Sequence, residues 1–459
     1  MTSDRPTLNV RRFVDEQPVG AYQVLVLGLC ILTVLMEGFD AQAMGFVAPV
    51  VSKQLHIARA ALGTVLSSGL VGMMIGALTL GPLADRIGRK PVIVGSALLF
   101  GTASLLTATA HSIPSLLLFR LATGIGLGAS LPTMIALEAE YMPKRFRATS
   151  IVIAGSGFSL GATLGGLASA RLLDHFGWQS VFVAGGVAPI VIAIVLMVWL
   201  PESIRYLVVK GGGDELVLQY LQKLSPQTPI AAGTQFAVDE AGESGFVVKQ
   251  LFTQGRAAKT LLLWVIFFMN LLDVYFLNSW LPTVIHDSGI AVKTAILITT
   301  LFQAGGTVGA LTLGILIDRT ASYRVLAFGY VAATACVFLI GSAGTSVPLL
   351  ACAVVGAGFF VVGGQIGANA LAAESYPTAL RSTGVGWSLG IGRIGSITGP
   401  LVGSAILSGG AAGQVFSIAA VPMLVAAVSG FLAANMATGE AEADRARGSM
   451  PAATSARTS

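Results

Sequence analysis

The stretch Gly81-Pro82-Leu83-Ala84-Asp85-Arg86 returns 233 residues later as Gly314-Ile315-Leu316-Ile317-Asp318-Arg319. A second pattern, Glu-x-x-Pro-x-x-x-Arg-x-Thr, occupies residues 140–149 and returns at residues 374–383. Two motifs that recur at almost the same spacing indicate an internal duplication. The sequence therefore predicts two structurally related halves.

Apolar runs fill both halves. The chain has 459 residues, of which 54% are hydrophobic and 11% are charged, whereas soluble domains carry about 25% charged residues. A helix of about 20 apolar residues crosses a membrane core. Twelve runs are long enough, six in each half: 22–50, 58–81, 91–110, 114–137, 148–170, 179–200, 259–286, 293–316, 324–341, 347–373, 382–407 and 413–436.

This pattern predicts an all-α membrane protein with twelve transmembrane helices in two pseudo-symmetric six-helix bundles. Because each unit has an even number of spans, the halves run parallel about an axis along the membrane normal, and such folds bind substrate between the halves near the midplane. The predicted parts are an N-terminal segment (1–20), two bundles (21–200 and 259–436), a central loop (201–258) and a disordered tail (437–459).

The basic residues predict the orientation. Most of the 27 lysines and arginines lie in segments that share a side with both termini, whereas the opposite loops hold only Lys53, Arg59, Arg171 and Lys293. Since cytoplasmic loops are enriched in Lys and Arg, we expect both termini in the cytoplasm and the protein in a bacterial-type inner membrane. The first twenty residues lack a signal-peptide pattern. The basic excess does not point to nucleic acid, and nothing demands more than a monomer.

Two acidic residues interrupt the first apolar run, in Met36-Glu37-Gly38-Phe39-Asp40. Residues three apart share a helix face, and a charge at the centre of a membrane helix costs roughly 2.5–3.5 kcal/mol. Two carboxylates this close cannot both ionise cheaply, so one is predicted to carry a proton. The repeat spacing matches Asp40 with Asp273, but Glu37 with Asn270. Glu37, Asp40 and Asp273 are candidate proton-coupling groups.

Three segments resemble motifs of the major facilitator superfamily. Residues 81–90 resemble its signature loop between spans two and three, residues 120–129 its fourth-span motif, and residues 201–207 the segment after its sixth span. The acid-Gly-x-acid pair of span one, residues 263–282 and residues 390–400 resemble the aromatic acid:proton symporter family. The resemblance covers roughly residues 19–436.

The resemblance implies proton-coupled import of a small aromatic carboxylate, a hydroxybenzoate or phenylpropanoate, by alternating access, as in aromatic hydrocarbon catabolism. It also implies that spans one and four are neighbours, so that Arg120 can balance Asp40 and promote the release of its proton when the two come close. Arg120 is therefore a fourth proton-coupling candidate. Alternatively, Arg120 is only a structural counter-ion. The family's first acid is usually aspartate, and Glu37 departs from that pattern.

The substrate-binding candidates are charged, aromatic or amide side chains within spans. Arg393 lies near the middle of span eleven with no acid within one turn, so a substrate carboxylate is its predicted partner; the alternatives are pairing with Asp273 or packing. The aromatic candidates, which otherwise pack or face lipid, are Phe39, Tyr275 and Trp387. The amide candidates, which otherwise tie helices together, are Asn278, Gln303 and Gln365.

The repeated motifs predict a cytoplasmic gate. Acids and arginines at helix ends can bridge neighbouring helices and the opposite half, and such bridges bias a two-state equilibrium when they form in one state only. The alternative is ordinary enrichment of basic residues on the inner side. The residues concerned are Asp85, Arg86, Arg89, Glu140, Arg147, Asp318, Arg319, Glu374 and Arg381.

Other classes of function have no support in the sequence. There is no phosphate-binding loop, no paired nucleophile and base, and no clustered set of metal ligands. We expect no enzyme and no cofactor, with protons as the coupling ion. The remaining alternatives are transport of another organic anion such as a dicarboxylate, drug efflux by antiport, and a sensor that does not transport.

Overall fold

The structure is a computed structural model. It describes residues 7–211, 214–230, 233–238, 248–253, 255–320, 323–377, 380–409 and 414–448, without the side chains of residues 318–320, 382 and 437–448. Within that part of the chain, twelve long helices account for most of the residues. They are α2 (Ala21–Gln54), α3 (Arg59–Ile87), α4 (Arg89–Ala108), α5 (Ile113–Tyr141), α6 (Lys144–Phe176), α7 (Gln179–Trp199), α10 (Ala257–Asp287), α11 (Val292–Thr320), α12 (Tyr323–Ser342), α13 (Val347–Ser375), α14 (Arg381–Ser408) and α15 (Val415–Gly448).

The predicted fold of twelve membrane helices in two bundles is confirmed. Eleven of these helices are apolar and long enough to cross a membrane. The twelfth long helix, α14, is less apolar because it carries Arg393 among several glycines. Arg393 makes the middle of α14 less apolar.

The internal repeat is present in the helix bounds and in the packing. Helices α3 and α11 have 29 residues each and begin 233 residues apart, and α5 and α13, also of 29 residues, begin 234 residues apart. The contacts α2–α6, α3–α5 and α4–α7 of the first half recur as α10–α14, α11–α13 and α12–α15 in the second. Asp40 and Asp273 therefore occupy equivalent positions on α2 and α10.

Small residues let the helices cross closely within each half. A methyl group at Gly124 of α5 would lie 2.0 Å from the carbonyl oxygen of Gly69 on α3. A methyl group at the repeat-related Gly358 of α13 would likewise lie 1.9 Å from the carbonyl oxygen of Phe302 on α11. Membrane helices associate by such close approach because lipid supplies no hydrophobic drive. The glycines at 124, 126 and 128 therefore let α5 pack closely against α3 and α4.

The two halves meet at one end of the molecule. We call the face where α2 begins and α15 ends the terminal face, and the opposite one the distal face. Helices α6 and α11, α3 and α14, and α2 and α10 form the contact between the halves. The carbonyl oxygen of Asn278 would lie 2.6 Å from a methyl group at Gly45, in the distal half of α2.

Side-chain bonds between the halves have the same distribution. Ser67 donates to the carbonyl oxygen of Ile397 at 2.9 Å, and Ser404 to that of Arg59 at 2.8 Å. All described side-chain bonds between the halves lie in the distal half of the molecule. The described side-chain bonds that hold the halves together in this conformation are therefore those of the distal half.

Two predicted segments differ from expectation. Helix α15 continues past Ala437 to Gly448, so the first part of the predicted disordered tail is helical. The remainder, 449–459, lies outside the described residues. In the central loop, α8 (Ile204–Lys210), α9 (Asp214–Leu224) and a 3-10 turn at Val248–Phe252 are ordered.

The N-terminal segment is tied to the central loop. Strand β1 (Thr7–Asn9) pairs in parallel with β2 (Gln235–Ala237), and α1 (Val10–Glu16) follows directly. Phe13 and Val14 of α1 are buried in the hydrophobic cluster of the first half. The apolar side chains on one face of this short helix account for the docking. The predicted N-terminal segment did not include this helix.

We predict that Gly124→Ala destabilises the fold, because its β-carbon would overlap a backbone oxygen that cannot move independently of α3. Overpacking of this kind costs about 1–3 kcal/mol. Thermal unfolding of the purified protein in detergent measures the effect. The matched control is Gly95→Ala on α4, where nothing lies within 4 Å. Equal melting temperatures for the two variants would contradict the packing argument.

Candidate functional site

A buried ion pair joins α2 to α5. Arg120 donates from Nη1 to Asp40 Oδ2 at 3.1 Å and from Nη2 to the Asp40 carbonyl oxygen at 3.2 Å. The side chains are 5% and 0% exposed. The predicted proximity of Asp40 and Arg120 is thus present in the structure. Since removal of either charge leaves the other buried and unpaired, the two are strongly coupled.

Two further residues complete this pair. Ser104 of α4 donates to Asp40 Oδ1 at 2.9 Å, and the Arg120 guanidinium lies 5.5 Å from the centre of the Phe182 ring of α7. Cation–π attraction is strongest where water is excluded. The sequence does not indicate that Ser104 and Phe182 contact this pair, because a lone serine or phenylalanine in an apolar run has no distinguishing pattern.

Glu37 has a different environment from Asp40. It is 2% exposed, and its Oε1 has no hydrogen-bond partner among the described residues. It lies within electrostatic range of Arg393 on α14, in the other half. Arg120 therefore pairs with Asp40 and forms no described ion pair or hydrogen bond with Glu37.

Arg393 is half-buried, and its guanidinium forms no ion pair or side-chain hydrogen bond within the described part of the chain. Asp273 is fully buried, and neither of its carboxylate oxygens has a described partner. The alternative pairing of Arg393 with Asp273 is therefore not formed in this conformation. Neighbouring Asn270 instead donates to the carbonyl oxygen of Val361 at 2.8 Å, which ties α10 to α13.

A cavity of about 30 Å³ lies between α2, α3, α5 and α10. Arg120, Tyr275 and Asn278 are among the residues that line it. This volume is close to the share of one water molecule in the liquid, so it does not admit an aromatic ring. Gln303 donates to Asn278 Oδ1 at 3.0 Å, so this amide pair ties α10 to α11 in the closed distal half.

Three of the predicted substrate contacts lie elsewhere. Phe39 is a correction: its ring lies within the first half, 2.8 Å from where methyl groups at Gly165 and Gly185 would stand. It packs between α6 and α7 because those glycines leave room for a ring. Trp387 stacks on Trp264, with ring centres 5.9 Å apart, towards the terminal face. Gln365, on α13, is half-buried with no described hydrogen bond.

The predicted gate residues form bonds within the first half. Arg89 at the start of α4 pairs with Glu140 at the end of α5. Glu140 also accepts from Ser203 Oγ at 2.7 Å, and Glu202 accepts from the Arg89 backbone nitrogen at 2.8 Å. In this conformation their partners are α5 and the segment after α7, so these bonds bridge neighbouring helix ends. The predicted bridge to the other half, which would form when the terminal side closes, stays a prediction.

Arg147 has a partner that the sequence did not indicate. It donates to Asp15 of α1 at 2.6 Å. Asp85, Arg86, Glu374 and Arg381 are exposed and form no ion pair with a described residue, while the side chains of Asp318 and Arg319 lie outside the described residues. Among the gate residues whose side chains the structure describes, the ion pairs at the terminal face thus lie within the first half.

Comparison with known proteins identifies the relatives of this chain. The family model described as Major Facilitator Superfamily matches residues 30–267 and 263–457. A 4-hydroxybenzoate transporter and a gallate transporter, both of Pseudomonas putida, are each 42% identical over 92% of this chain, covering 95% and 94% of their own lengths. A 3-(3-hydroxy-phenyl)propionate transporter of Escherichia coli K12 is 36% identical over 89% of this chain and covers 93% of itself.

Solved structures share the fold at low sequence identity. A bacterial homologue of the human lysosomal transporter Spinster, in an inward-facing and occupied conformation, superposes with a TM-score of 0.72 at 17% identity, covering 91% of this chain and 98% of that one. A D-xylose-proton symporter gives a TM-score of 0.70 at 16% identity, covering 89% and 97%. These likenesses establish the architecture alone.

We predict that Asp40→Asn destabilises the protein by about 3–5 kcal/mol, because it leaves Arg120 as an uncompensated buried charge. The double variant Asp40→Asn with Arg120→Gln regains much of that stability. Thermal unfolding of both variants and of Arg120→Gln completes the thermodynamic cycle. Additive effects of the two single changes would show that the pair is not coupled.

Proposed function

Because this chain belongs to the major facilitator superfamily, we propose that it imports a small aromatic carboxylate with a proton by alternating access. The observation that carries the proposal is the pair of unlike acids on α2: Asp40 is bonded to Arg120, whereas Glu37 has no described ion pair and lies within electrostatic range of Arg393 in the other half. The names of the relatives, which include 4-hydroxybenzoate, gallate and hydroxyphenylpropionate transporters, support an aromatic acid as substrate.

In the proposed cycle, Arg393 binds the substrate carboxylate. It is the described cation of the interface that has no ion pair, and a guanidinium binds a carboxylate through two parallel hydrogen bonds. The position opposite Glu37 means that an anionic substrate at Arg393 is favoured when Glu37 is protonated. Substrate and proton would thus bind together, as symport requires.

Asp40 is proposed to carry the coupling proton. While ionised, it is held by Arg120 and Ser104; when protonated, it no longer needs the guanidinium, and the bond between α2 and α5 weakens. Asp273, at the equivalent position of α10, is a second proposed acceptor, since it has no cation beside it. A proton moving inward gains about 2.3 kcal/mol per 100 mV.

The orientation follows from the same proposal. With the basic terminal face in the cytoplasm, the distal face is periplasmic, and the described conformation is inward-facing. Substrate then leaves through the terminal side. The distal half, where the cavity measures about 30 Å³, excludes an aromatic ring.

We predict that Asp40→Asn abolishes proton-driven accumulation but retains exchange of labelled 4-hydroxybenzoate in proteoliposomes, because exchange needs no net proton transfer. Substrate added to wild-type vesicles should alkalinise the medium; an antiporter would acidify it, and a sensor would do neither. The matched control is Asp214→Asn at the exposed start of α9. Accumulation at the wild-type level in Asp40→Asn would refute the role.

Replacing Arg393 with lysine tests carboxylate binding. Lysine keeps the charge but cannot present two parallel N–H groups, so we expect the apparent affinity for 4-hydroxybenzoate to fall about tenfold, equivalent to ~1.4 kcal/mol. Uptake kinetics measure this, and thermal unfolding checks the fold. Arg171→Lys, on the exposed surface of α6, is the control. An unchanged affinity would exclude Arg393 as the carboxylate ligand.

A further inference from the structure

Three pairs of polar side chains join the two halves on the distal face. Lys53 Nζ lies 2.8 Å from His286 Nε2, Arg59 pairs with Asp287 at 2.8 Å, and Lys293 pairs with Asp174 at 2.6 Å. We call these six residues the distal clasp. Each pair has one member in each half, so all three have to part when the distal face opens.

The hydrogen bonds of His286 define its tautomer. Its Nδ1 lies 2.9 Å from the carbonyl oxygen of Ile290. A carbonyl oxygen can only accept, so Nδ1 carries the hydrogen. In the neutral ring Nε2 is then an acceptor, and the Lys53 ammonium, which has only donors, donates to it. The contact therefore requires a neutral His286.

The position of this contact is set by the internal repeat. Lys53 and His286 are 233 residues apart, which is the spacing that relates α2 to α10. Gly45 and Asn278, in contact further along the same helices, have the same spacing. Two equivalent residues can touch only at the pseudo-twofold axis, so the Lys53–His286 bond lies on it and breaks as the distal ends separate.

A proton on His286 is incompatible with this bond. Imidazole changes its charge between pH 5 and 8, and Nε2 is the nitrogen left to accept a proton. Protonation there removes the acceptor and places an imidazolium beside an ammonium. The clasp holds no spare carboxylate to offset this, because Asp287 of α10 is bonded to Arg59 of α3, and Asp174 of α6 to Lys293 of α11.

We propose that His286 is a second proton-binding site of the transport cycle, whose protonation from the distal side releases the clasp and favours the outward-facing state. By linkage, distal closure expels that proton to the side from which it came. Acid outside the cell would thereby recruit the transporter to the face where substrate is loaded. The assignment of that face rests on the orientation in the proposed function, whereas the pH response of the clasp does not.

The test is a distance measurement that needs no substrate. Spin labels at His111→Cys and Thr345→Cys, on exposed loops of the two halves remote from the clasp, report distal opening in nanodiscs. Cys30, Cys336 and Cys352 are replaced beforehand. When the pH is lowered from 8 to 5.5, we expect the fraction of long distances to rise several-fold. We expect this rise to be absent in His286→Gln, whose amide oxygen can still accept a hydrogen bond from Lys53.

Two further variants make the result decisive. In Lys53→Glu, protonated His286 finds an opposite charge, so acid should now favour closure and the pH response should reverse its sign. His175→Gln, at the distal end of α6, should retain the wild-type response. An undiminished response in His286→Gln, or an unreversed one in Lys53→Glu, would overturn the proposal; a failure to transport aromatic acids would leave these distances unaffected and count only against the proposed substrate.

Discussion

A charge in an apolar helix bundle has to be neutralised, and the Asp40–Arg120 pair is where this molecule meets that requirement. Helices α2, α4, α5 and α7 converge on the pair through Asp40, Ser104, Arg120 and Phe182. Four helices of the first bundle therefore depend on one buried ion pair, since either charge without the other would be buried and unpaired.

The neighbouring acid shows what the absence of such a pair does. Glu37 lies one helical turn away, yet it faces the other half and Arg393. A carboxylate at an interface that opens and closes changes its surroundings in each cycle, whereas one sealed inside a bundle does not. The two acids thus have unlike surroundings on one helix: Asp40 is bonded within its own bundle, whereas Glu37 lies within range of a cation of the other half.

The sequence was sufficient for the architecture because the repeat and the lengths of the apolar runs are local properties. The neighbourhood of Asp40 and Arg120 also followed, once spans one and four were placed side by side. Phe39 was misassigned because the direction a side chain faces depends on distant residues, here Gly165 and Gly185. Ser104 and Asp15 could not be predicted, since each joins single residues on separate helices and no spacing marks them. Among the distal pairs, only Lys53 and His286 match the repeat spacing.

The pairing of β1 with β2 relocates the boundary between the halves. Through β2, which contacts α8 and α9, the central segment up to Ala237 belongs to the first bundle, whereas the turn at Val248–Phe252 contacts α10 and α14 of the second. The chain therefore passes from the first bundle to the second between Val238 and Val248. At most about 3.5 Å per residue, ten residue steps span no more than roughly 35 Å, so Val238 and Val248 cannot lie further apart than that in any arrangement of the two halves.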